Sequence, residues 1–139
     1  MRLFVLTAAC MLPLACVTAR AQSSPGLLTV EEAKDLCYTA LPAKTKRLPG
    51  LYLDTRVDDP KYPGCAIFNI VWSTPTPGNG HVDFYYVDRR TANVWRGLGC
   101  ERVDAQALML KQKRLRKQLG IGSETQKHAA NPCCIDLLH

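Results

Sequence analysis

Residues 81–100, HVDFYYVDRRTANVWRGLGC, constrain the fold more than any other stretch, because they read as two strands joined by a tight turn. Val82, Phe84 and Tyr86 alternate with His81, Asp83 and Tyr85, the two-residue period of a pleated strand with unlike faces. Residues 88–93 supply the turn, and Val94, Trp95 and Leu98 resume a strand beyond it. β-Branched and aromatic residues dominate both arms, as expected of side chains that pack on a pleated surface. The remainder of the chain is organised around this hairpin.

The N-terminus carries a processing signal that has to be set aside before the fold is read. Arg2 gives a positive start, residues 3–17 are an apolar run interrupted by Thr7 and Pro13, and Ala19 and Ala21 place small residues where signal peptidase reads. Cleavage after Ala21 is expected, and the apolar run is short of the roughly 20 residues that a membrane span needs. A second processing route would lipidate Cys16, since Leu14, Ala15 and Cys16 resemble the end of a lipoprotein signal, although Pro13 departs from it. The expected location is periplasmic or secreted. The reading divides the chain into a signal peptide (1–21), a lead-in (22–28), one domain (29–119) and an irregular tail (120–139).

Cleavage removes 21 of 139 residues and leaves 118, enough for one core. Arg2 and Arg20 leave and no acid does, so the formal charge falls from +6 to +4. That excess favours solubility and acidic surfaces without making a nucleic-acid signature, which needs basic residues focused beside stacking aromatics. Five cysteines remain: Cys37, Cys65, Cys100, Cys133 and Cys134. In an oxidising compartment all five are disulfide candidates. An odd count leaves one thiol over, and connectivity does not follow from sequence. A bridge from Cys37 to Cys100, or from Cys65 to the tail, would staple helix to sheet.

Residues 29–32, TVEE, fit a capping box, and Ala33, Leu36, Cys37, Ala40 and Leu41 then form one apolar helical stripe that Pro42 ends. Residues 44–47 read as a basic connector. Leu51, Leu53, Thr55 and Val57 alternate with Tyr52, Asp54 and Arg56, which gives a strand with one apolar and one wet face. The run CAIFNIVWST from Cys65 is apolar on both faces and is expected to be the central, most buried strand. Residues 74–80, TPTPGNG, can only be a loop. Asp104 is the expected N-cap of a second helix that Gly120 closes, with Ala105, Leu108, Gln112, Leu115 and Leu119 on one face and Lys113, Arg114 and Lys117 opposite. The class is therefore α+β: a helix, a four-stranded antiparallel meander packed on it, a basic amphipathic helix and a cysteine-containing tail.

One helix followed by such a meander resembles cystatin-like folds, and YYVDRRTANVW is similar to a hairpin of small exported bacterial domains of the PepSY type. This chain has Ala92 where that hairpin carries glycine, then Asn93, so either Asn93 takes the left-handed position or the turn differs. The resemblance implies binding or inhibition more often than catalysis.

Glycine-rich phosphate loops, a Gly-x-Ser-x-Gly elbow and His-Glu-x-x-His are absent. His81 and Asp83, two apart on one face, together with Asp54, His128 and the cysteines, are the material for a Cys/His or acid–base pair, and His128, Cys133, Cys134 and His139 for a metal, but nothing fixes the geometry of the first and the second lacks the spacing of a strong signal. No catalytic residue, metal or cofactor is therefore assigned. The expectation is an exported module that binds a protein or an envelope polymer, its sharpest form being an inhibitor or immunity protein directed at a hydrolase. The alternatives are a small hydrolase or isomerase with a pocket on the open sheet face, and a structural envelope component. If Val82, Phe84 and Tyr86 point inward, Tyr85 faces solvent, and with Arg89, Arg90, Trp95 and Arg96 it makes a candidate binding patch of the residue types enriched at hot spots.

Overall fold

The computed structural model describes residues 26–57, 59–73 and 79–122. The signal-peptide segment, Cys16, His128, Cys133, Cys134 and His139 lie outside the described residues. The chain is α+β: α1 (Val30–Ala40), α2 (Ala43–Lys46), β1 (Tyr52–Val57), β2 (Cys65–Ser73), β3 (Asn79–Asp88), β4 (Val94–Arg96), β5 (Glu101–Arg102) and α3 (Gln106–Leu119).

Helix α1 starts as its sequence dictates. The Thr29 hydroxyl accepts from the Glu32 amide at 3.1 Å, and the Glu32 carboxylate accepts from the Thr29 amide at 2.8 Å. Its stripe of Ala33, Leu36, Cys37 and Ala40 is buried. Leu41, forced toward extended geometry by the following proline, closes the helix. The basic connector turns out to be the single-turn α2, in which Lys46 reaches back to donate to the Thr39 carbonyl at 3.1 Å.

The strands run antiparallel in the order β1-β2-β3-β4-β5. Five strands replace the expected four, and β3 rather than β2 lies in the middle. Gly97 (φ 66°) and Cys100 (φ 52°) bend the chain immediately after Arg96, so Leu98 sits exposed in a turn and the chain returns as β5. Helices α1 and α3 cover one face. Leu28, Leu36, Phe68, Ile70, Tyr85, Val87, Val94 and Leu108 meet there, and each such side chain contributes about 1.5–3 kcal/mol by leaving water. The N-cap of α3 is Ala105, one residue beyond the expected Asp104, and it has no side-chain acceptor to cap with; Asp104 pairs with Arg102 at 3.1 Å. Gly120 closes it in the left-handed conformation (φ 67°), as its position predicts.

Two of the three described cysteines, Cys65 and Cys100, are disulfide-bonded. Cys37 is a free thiol, fully buried under α1. The expected bridge from Cys37 to Cys100 is therefore not made. Cys37 packs on the helix-covered side, whereas Cys65 and Cys100 belong with Tyr86 and Trp95 to a separate cluster on the opposite side of the sheet.

Candidate functional site

The expected patch of Tyr85, Arg89, Arg90, Trp95 and Arg96 is not one surface. Tyr85 is 2% exposed and lies in the main core, while Phe84 and Tyr86 take the other face. Pairing decides this: Phe68 stands opposite Tyr85 and Ala66 opposite Val87, and all four turn toward the helices. Val82 falls out of phase, since the register shifts beside Ile70 and Val71. Burial pushes the Tyr85 phenol up to about 12, with the Arg96 charge opposing and Asp83 assisting. Trp95 is 6% exposed within the second cluster. Arg96 is held by Asp83 at 2.6 Å, a bond that raises the guanidinium pKa.

Arg89 and Arg90 are committed to the turn. Arg89 Nε donates to the Leu28 carbonyl at 2.7 Å, and Arg90 Nε to the buried Asp88 carboxylate at 3.1 Å. That carboxylate also accepts from the Arg90 amide and the Thr91 hydroxyl. Ala92, not Asn93, takes the left-handed position (φ 61°). The turn's freed groups then face α3: Gln112 donates to the Ala92 carbonyl at 2.9 Å, and Arg116 to the Thr91 carbonyl at 2.7 Å and the Asn93 side chain at 2.8 Å. Residues 88–93 thus form the seat of a helix, and burial lowers the Arg116 pKa there, assisted by Arg102.

Among the described residues, His81 and Asp83 do not form an acid–base pair. Asp83 is engaged by Arg96, and the His81 ring lies against Phe84 at 4.5 Å. Among the described residues no three histidine, cysteine, aspartate or glutamate side chains cluster as a metal site would require.

What the sheet does present is a groove of about 290 Å³ on the face away from the helices. Asp54 and Arg56, from the wet face of β1, form one rim. Ile67, Asn69, Phe84 and Tyr86 make the floor. Asp59 and Tyr62 close one end and Leu98 lines another part of the wall. The 59–64 loop is fixed by its own bonds: the Asp59 side chain accepts from the Lys61 amide and its carbonyl from the Tyr62 amide, both at 2.9 Å. Tyr62 is thereby laid against Tyr86, ring centroids 6.3 Å apart at 53°, and the Lys61 ammonium lies 5.6 Å from the Tyr62 ring centroid. Burial, then the neighbouring Tyr62, raises the Tyr86 pKa.

The Asn69 carboxamide oxygen in the floor is buried without a hydrogen-bond partner among the described residues. Such an orphan acceptor costs about 1–3 kcal/mol in general, so its retention is a feature to be explained. The sequence placed Asp54 and Arg56 on a wet face and offered a pocket on the open sheet face only as an alternative, without its lining residues. The one local signal was Asn69 itself, a polar residue inside an otherwise apolar run.

Neither a family model nor a curated protein matches the sequence. Among solved structures, a chain of a type VI secretion system effector-immunity complex from Pseudomonas protegens superposes with a TM-score of 0.65 over 82% of this chain and 95% of that one, at 24% identity, a likeness of fold.

Proposed function

We propose that this chain is an exported protein-binding module of the immunity-protein kind, which neutralises a toxic effector by occupying it with the open face of the sheet. The observation that carries the reading is the groove: an aromatic lining from Tyr62, Phe84 and Tyr86 beside charged groups from Asp54, Asp59 and Arg56, on a face that no described helix covers. Aromatic anchors within a polar rim are the anatomy of a protein-binding surface. The finer reading is supported by the Pseudomonas protegens structure, an effector-immunity complex in which a chain shares this fold. Binding of this type needs no catalytic group, only a rigid surface, and the antiparallel ladder beneath the groove supplies it.

The test is growth protection. The chain is co-expressed in the periplasm with candidate toxic effectors, that of the Pseudomonas protegens complex first, and growth is followed with and without it. Restored growth supports the proposal, and unabated killing by effectors that the chain does not bind in purified form overturns it.

A further inference from the structure

The groove is chemically sided, and the strand register shows how. Asp54 pairs with Asn69 across β1 and β2, and Asn69 with Phe84 across β2 and β3. Opposed residues share a face, so a carboxylate, an unpartnered carboxamide oxygen and an aromatic ring stand in one row. The next row holds Arg56, Ile67 and Tyr86. Asp54 makes no ion pair among the described residues, and Asp59 adds a second carboxylate at the end of the groove. On a chain of charge +6, the groove sets two carboxylates against one guanidinium.

We propose that the Asp54, Asn69 and Phe84 row is a subsite for an arginine side chain of the protein partner, an assignment that rests on the open face being the binding surface. An anion is disfavoured by two acceptors in succession. An aliphatic side chain brings no donor, so the already buried Asn69 oxygen would stay unsatisfied. A guanidinium meets all three demands once the Asn69 carboxamide turns its buried oxygen toward the groove: N–H groups on separate edges for the Asp54 carboxylate and the Asn69 oxygen, and a flat face that stacks on an aromatic ring. An ammonium is a point charge and meets fewer.

The test uses the full mature chain and three small probes, N-acetyl-arginine amide, N-acetyl-lysine amide and N-acetyl-leucine amide, followed by NMR at the Asn69 side-chain amide and the Phe84 ring. The arginine probe should shift both signals saturably, with the lysine probe weaker and the leucine probe silent. Asp54→Asn and Asn69→Leu should each weaken arginine binding about tenfold, the equivalent of one charge-assisted hydrogen bond. Asp54 is exposed on a rim, so that variant keeps the test sound if Asn69→Leu disturbs the sheet. The subsite is overturned if the arginine probe gives no saturable shift, if lysine or leucine matches it, or if both variants bind as wild type does. Effector capture alongside a failed arginine titration would remove the subsite and leave the face. Arginine binding in a chain that captures no effector would uphold the subsite and overturn the functional reading.

Discussion

Cys37 and Tyr85 show how far burial sets the chemistry of single residues here. Burial alone pushes the Cys37 thiol far above its ordinary range, which keeps it protonated and unreactive at neutral pH. Alkylation at pH 8 followed by peptide mapping should leave Cys37 unmodified in the folded protein and label it once denaturant is added. Labelling at equal rates in both states would contradict the placement. For Tyr85, burial favours the neutral phenol, so the folded pKa, about 12, lies above the unfolded value near 10. The stabilising contribution is whole below about pH 10 and is lost as pH rises toward 12. Tyr85→Phe should flatten the fall in denaturation midpoint across that window, and an unchanged slope would show that Tyr85 ionises freely. The register that buries Tyr85 is not written in β3 itself. Its alternation sets Phe84 and Tyr86 against Asp83 and Tyr85, which points to the wrong face as the core, and only the pairing with Phe68 and Ala66 turns Tyr85 and Val87 inward.

Among the elements, α1 was legible because its signals are local: a capping box, a stripe at helical spacing and a proline stop. The open face of β1 was legible for the same reason, since Tyr52, Asp54 and Arg56 alternate with apolar residues. The 88–93 turn was not. Its arginines look like solvated charge, and only the fold brings the Leu28 carbonyl to Arg89 and the turn carbonyls to Arg116. Arg116→Ala removes a charged donor from two acceptors, one on a buried side chain. It should lower stability by about 1.5–3 kcal/mol in chemical denaturation. Replacing Lys113 and Arg114, which are exposed on the same helix, should change it by less than about 0.5 kcal/mol. Equal effects would mean that α3 is not seated by Arg116.

At the scale of the molecule, the sheet divides two environments. One face is consumed by the helices and a free buried thiol. The other carries the groove, the Tyr86 and Trp95 cluster and the oxidised Cys65 and Cys100. Reduction should lower stability by about 2–4 kcal/mol for each bond opened, and it should disturb the groove side first, visible as changed Tyr62 and Tyr86 signals before Leu36 or Phe68 respond. Which face meets the partner is the central question for this molecule. The most direct measurement is the dissociation constant, by titration calorimetry, of the effector with three proteins: wild type, an open-face variant (Asp54→Ala with Tyr62→Ala) and an α3 variant (Lys113, Arg114 and Lys117→Ala). An open-face partner predicts binding weakened by about a hundredfold or more in the first variant, as truncation of a hot spot does, and little change in the second. Undiminished binding by the open-face variant, with loss in the α3 variant, would contradict it.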